Sequence, residues 1–67
     1  MNELNLSSRE TEVARLTALG LTSQAIGDRI GISPKTVEAY RDRIRMKWGL
    51  RSGREIPAAC FQRGLMR

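Results

Sequence analysis

A chain of 67 residues suffices for one small domain and not for two, and a domain of this size buries only about 60% of its unfolded-chain surface, so its core is thin. With 40% apolar and 28% charged residues, no apolar run of membrane-spanning length and no signal-peptide pattern in Met-Asn-Glu-Leu-Asn, the composition is that of a folded domain expected in the cytoplasm, with no membrane contact. One cysteine and no histidine exclude an internal disulfide, a Cys/His metal site and a nucleophile-base pair of enzymatic type, and no cofactor is expected; a net charge of +5 favours a polyanionic partner.

That charge is unevenly spread. Residues 1–32 hold three basic and four acidic residues, net −1, and residues 33–67 hold nine basic and three acidic, net +6.

In chain order, residues 1–5 read as a loose lead-in. Ser7-Ser8-Arg9-Glu10 has the capping-box pattern, and Val13, Leu16 and Leu19 follow at helical spacing, which predicts a first helix over about 8–19. Gly20-Leu21 supplies a left-handed glycine at the helix end and an apolar residue to fold back on the last turn, a signature repeated at Gly49-Leu50 and Gly64-Leu65. Thr22 or Ser23 caps a short second helix over 23–30 with Ile26 and Ile30 inward. Gly27 within it costs about 1 kcal/mol relative to alanine, which calls for the close approach of another helix. Gly31-Ile32-Ser33 is a short connection that suits two helices crossing steeply.

Ser33 as N-cap and Pro34 at the first helical position open a third helix over 34–48. Val37, Ile44 and Trp48 share its packing face with Tyr40 and Arg41 at the margins, and Lys35, Glu38, Ala39 and Asp42 project from the other side. A fourth helix over 53–64 begins with a second capping box, Ser52-Gly53-Arg54-Glu55, but Pro57 falls where its ring crowds the first turn, so a distorted start is expected. Ile56, Ala59 and Cys60 lie on one side of it, and Pro57, Ala58, Phe61 and Leu65 on another, one side for the core and one for a partner subunit.

Gly27 and Gly31 take the small positions of a helix-turn-helix, and Ile26, Ile30, Ile32, Val37 and Tyr40 the locking ones. With those in place, Leu6-Ser7-Ser8-Arg9-Glu10, Gly20-Leu21-Thr22, Ile26-Gly27, Ile30-Gly31-Ile32-Ser33, Lys35-Thr36-Val37 and Lys47-Trp48-Gly49-Leu50-Arg51-Ser52 resemble the LuxR-type (GerE-like) DNA-binding domain over about residues 6–66. The resemblance implies an all-α, four-helix domain of bacterial or phage transcription factors spanning residues 1–67, its third helix in the major groove and its fourth at a homodimer contact. Most members carry the unit behind a receiver or ligand-binding domain. Met1 leaves open a small regulator or an excised domain.

Some residues depart from the family pattern. Ala14 and Thr17 stand where larger aliphatic residues are usual and Trp48 where leucine is, which suggests that the indole fills the vacated volume. The base-facing positions implied by the resemblance fall on Glu38, Ala39 and Asp42; carboxylates can accept from cytosine N4 and Ala39 can meet a thymine methyl. Lys35, Thr36, Arg43 and Lys47 are the expected phosphate contacts, joined by the capping hydroxyls of Thr22 and Ser33. Double-stranded DNA is thus the expected partner. Two other readings remain: a module that pairs through its fourth helix with a full-length LuxR-type regulator or another transcription component, and a sigma-factor-like region, which the Leu6–Glu10 start and the fourth helix fit less well.

Overall fold

A computed structural model describes residues 4–66. Four helices, α1 (Ser8–Ala18), α2 (Ser23–Ile30), α3 (Pro34–Lys47) and α4 (Ile56–Gln62), enclose one core, with a 3-10 turn over Gly53–Glu55 before α4. There is no strand among the described residues. α1 packs against α3 and α4, and α2 lies across α3.

Each helix start follows from a side chain able to satisfy an orphan amide. Ser7 Oγ accepts from Glu10 N at 3.1 Å while the Glu10 carboxylate accepts from Ser7 N at 2.8 Å, closing the capping box. Thr22 Oγ1 accepts from Ala25 N and Ser33 Oγ from Thr36 N, each at 3.1 Å. The ends of α1, α3 and α4 share one closure. The amides of Leu21, Leu50 and Leu65 reach back to the carbonyls of Leu16, Arg45 and Cys60, with Gly20, Gly49 and Gly64 at positive φ. The closures shorten the expected helices: Leu19 and Trp48 are caps rather than last helical residues, and α4 ends at Gln62.

The fourth helix also begins later than expected. Its first turn is 3-10, with Ile56 N donating to the Gly53 carbonyl, so Pro57 enters at the start of α4 where its missing N–H leaves no bond unmade. Glu55 supports the turn by accepting from the amides of Arg51 (2.7 Å) and Ser52 (3.0 Å).

The core is built from Leu6, Val13, Ala14, Leu16, Ile26, Val37, Ile44, Trp48, Ile56, Ala59 and Cys60. The lead-in is docked rather than loose from Leu4 on, because Trp48 Nε1 donates to the Leu4 carbonyl at 2.7 Å and Leu6 is buried; residues 1–3 lie outside the described residues. Ala14 and Trp48 belong to the same buried core, and two further contacts form at the departures. Cys60 Sγ lies 3.5 Å from the Ala14 carbonyl, so α4 closes on α1 at an alanine, and the Thr17 hydroxyl accepts from Arg41 Nε at 3.1 Å, a bond that leucine could not make. Burial pushes the Cys60 thiol above its ordinary pKa, against the opposing charge of Arg63, so it remains protonated and inert.

Gly27 is explained by the turn, not by a neighbouring helix. A Cβ there would collide with the Ile32 carbonyl oxygen and lie 3.4 Å from Pro34 N. Glu10 is the one buried charged side chain among the described residues, and Lys47 Nζ donates to its Oε1 at 2.7 Å across 37 residues of sequence. Burial alone would raise its pKa. The hydrogen bonds from Lys47 and the Ser7 amide, and the charge of Lys47, outweigh burial and hold it below the ordinary carboxylate value. A carboxyl with a depressed folded pKa contributes stability that is complete above its unfolded value and is lost as pH falls through the folded one. Glu10→Gln keeps the capping geometry and removes the charge. It is expected to lower stability by about 1–2 kcal/mol at neutral pH and by much less in acid, measured as urea midpoints at both pH values; equal losses at both would refute the charge argument.

Candidate nucleic-acid interface

α3 is amphipathic in the sense needed to lie against DNA. Val37, Ile44 and the capping Trp48 are buried, whereas Lys35, Thr36, Glu38, Ala39, Asp42, Arg43 and Met46 are exposed. Lys35 and Thr36 stand at its N-terminal turn, where the helix dipole favours an anion. Thr36 Oγ1 also lies 2.9 Å from Ser33 Oγ, so the two hydroxyls form one polar step at the helix start. Arg43 is steadied by its guanidinium over the Tyr40 ring, 5.5 Å from the centroid.

The two carboxylates on this face do not stand free. Glu38 accepts from Ser23 Oγ and pairs with Arg41 Nη1 at 3.3 Å; Asp42 pairs with Arg45 Nε at 3.2 Å. Both pairs are i, i+3 and offset the like-charge repulsion between Glu38 and Asp42. Each carboxylate still keeps more than half its side-chain surface exposed, which leaves acceptor capacity for a base edge.

Arg41 joins three elements. Besides Glu38 it donates to Thr17 Oγ1, to Ser23 Oγ at 2.9 Å and to the Leu21 carbonyl at 3.0 Å, tying the last turn of α1, the following loop and the first turn of α2 to α3. From periodicity alone Arg41 was a marginal residue; its fork geometry makes it the residue that orients the helix-turn-helix. Beside it, Arg41, Arg45, Arg51 and Arg54 surround a groove of about 590 Å³ between α3 and the 3-10 turn, with Glu38 and Asp42 on its rim. Arg51 and Arg54 extend the basic surface beyond the expected contacts. In the sequence Arg51 stands in the Lys47–Ser52 motif and Arg54 in the second capping box, and both add to the positive second half of the chain.

Of the expected phosphate contacts, Lys35, Thr36 and Arg43 therefore share the outward face of α3, and the hydroxyls of Thr22 and Ser33 lie at the starts of α2 and α3. Lys47 is exposed as well, and its ammonium donates to Glu10, which ties it to the start of α1. Met46, 68% exposed near the end of the same face, was not among the expected residues and offers an apolar contact. On α4, Ala58 and Phe61 are exposed and Pro57 is half-buried, while the closing turn carries Leu65 back against the core, so Phe61 dominates the outward surface.

Residues 4–58 match the family described as bacterial regulatory proteins, luxR family. The chain is also similar to the oxygen regulatory protein NreC of Staphylococcus aureus, in strains JH9, JH1 and Mu3 / ATCC 700698: each is 36% identical over 61 residues, covering 91% of this chain and 28% of the relative. The chain thus spans under a third of the length of these curated relatives. No solved structure matches significantly.

Proposed function

The chain belongs to the LuxR family of bacterial regulatory proteins, a family of DNA-binding transcription regulators, and on that premise we propose that it is a sequence-specific reader of double-stranded DNA. The reading has α3 in the major groove and acts in the cytoplasm on a two-fold-related site, with a homodimer formed through Pro57, Ala58, Phe61 and the edge of Leu65. The observation that carries it is the outward face of α3, where Lys35, Thr36 and Arg43 project while Arg41 and Arg45 neutralise Glu38 and Asp42.

Roles then divide by chemistry. Lys35, Thr36, Arg43, Lys47 and the hydroxyls of Thr22 and Ser33 contact phosphates and set the register, with Arg51 and Arg54 at the flank and Lys47 tied to Glu10. Glu38, Ala39, Asp42 and Met46 face the bases. A carboxylate held by an arginine can accept from cytosine N4, and Ala39 and Met46 suit thymine methyls.

Selection of bound duplexes from random sequence tests this reading, and a two-fold symmetric motif is the expected result. The log of affinity should fall with the log of salt at a slope of about −0.9 per phosphate neutralised. Lys35→Glu should weaken binding to all sequences about equally, whereas Glu38→Ala should change the preferred base pair at one position of each half-site. An unchanged preference in Glu38→Ala would remove that residue from the reading face.

The exposure of Phe61 also favours a second reading, pairing through α4 with a full-length LuxR-type regulator or another transcription component. A protein that binds no duplex at low salt and elutes with such a regulator in gel filtration would replace the first reading by the second.

A further inference from the structure

Three large apolar side chains stand exposed among the described residues. Met46 lies on α3 and Phe61 on α4, but Leu19, 60% exposed, lies on neither. It caps α1 at the edge of an open cleft of about 810 Å³ between α1 and α2, whose lining takes nothing from α3 or α4. Nearly buried Leu16 and outward Leu19 supply the apolar part. Arg9, Arg15 and Arg29 supply cations, and Glu12 is the one acid.

The charges divide unequally. Arg9 Nη1 pairs with Glu12 Oε1 at 3.3 Å, and the two largely cancel. Arg15 and Arg29 are exposed and pair with no carboxylate among the described residues. This cleft therefore presents two uncompensated guanidinium groups around an exposed leucine, within the half of the chain whose net charge is −1. Guanidinium groups recognise carboxylates by paired hydrogen bonds, and an apolar centre with a polar, arginine-bearing rim is the usual anatomy of a protein contact. A sugar-phosphate backbone would satisfy the arginines and leave Leu19 facing water. A peptide with an apolar anchor and flanking carboxylates satisfies both.

We propose that the α1–α2 cleft is a docking site for an acidic segment of a partner protein, with a large apolar side chain set against Leu16 and Leu19 and carboxylates on Arg15 and Arg29. Because the cleft shares no residue with the outward face of α3, the segment binds whether or not α3 is occupied. Partner and DNA thus occupy separate faces of one small domain.

The probe is a short synthetic peptide with one central phenylalanine flanked by glutamates, titrated into isotopically labelled protein, with the lysine-for-glutamate peptide as control. Saturable amide shifts confined to Arg15, Leu16, Leu19 and Arg29, absent with the lysine peptide, are expected. Leu19→Ser and the double variant Arg15→Glu/Arg29→Glu should each weaken the peptide at least about tenfold, as loss of an anchor or of a charge pair does. Both substitutions lie on exposed positions, and an unchanged far-ultraviolet spectrum confirms that they fold. The double variant should retain its affinity for duplex DNA, and DNA should leave peptide affinity unchanged. Shifts that map to α3 or α4, a double variant that binds the peptide undiminished, or displacement of the peptide by DNA would each overturn the proposal.

Discussion

Gly27→Ala is expected to destabilise the domain, although helix propensity alone argues for a gain of about 1 kcal/mol. The added methyl would meet the Ile32 carbonyl oxygen, with Pro34 N and Ser33 C each 3.4 Å away. All three atoms are backbone. Gly31 N and Ile32 N both donate to the Gly27 carbonyl, at 2.8 and 3.0 Å, so the turn is drawn onto the position where the methyl would go. Relief requires moving α3 relative to α2. Overpacking of this kind costs about 1–3 kcal/mol or more, which exceeds the propensity gain, and the small core leaves little reserve. Urea midpoints should fall for Gly27→Ala and stay near the parent value for Gly53→Ala, whose Cβ would stand in open space. A midpoint for Gly27→Ala at or above the parent would mean that the turn adapts at no cost.

Arg41→Ala is expected to affect both stability and DNA affinity. It removes the donors to Thr17, Ser23 and the Leu21 carbonyl, and a loss of about 2 kcal/mol follows from bonds to a charged, mostly buried group. It also leaves Glu38, on the outward face of α3, without its cation. An uncompensated carboxylate near phosphates should weaken duplex binding by about tenfold, equivalent to about 1.4 kcal/mol. Adding Glu38→Gln to Arg41→Ala should restore affinity for random-sequence duplex without restoring stability, which separates the two roles. Arg41→Lys keeps the charge but cannot present a planar fork to acceptors on three elements, so it should recover little of the stability. Parental affinity in Arg41→Ala at low salt would break the link between Glu38 and DNA.

What could be read in the sequence was what depends on neighbours within a turn. Ser7, Thr22 and Ser33 are caps because each hydroxyl bonds an amide three residues on, and the Gly-Leu pairs close helices through bonds five residues back. The outward face of α3 followed from helical periodicity in the same way. The distant pairings did not. Glu10 with Lys47, Arg41 with Thr17 and Ser23, and Trp48 with Leu4 depend on which helix crosses which and where along its length, information that no local spacing carries. Gly27 shows the boundary between the two: its need for space was visible, but the atom that needs it is a carbonyl in the next turn. At the candidate site the residue types and the i, i+3 pairs of Glu38 with Arg41 and Asp42 with Arg45 were legible, while the bond from Ser23 to Glu38 was not.

The indole of Trp48 holds Leu4 by its N–H and carries the Arg63 guanidinium on its ring, 4.6 Å from the centroid. A residue from the lead-in and one from the end of α4 thus meet on one side chain, so the two outer segments of the described chain are anchored at the same place. A join between those segments would close a short loop, and short loops cost little closure entropy. The domain could then be reopened at an exposed loop, or inserted whole into the loop of a host protein, with every helix still in place.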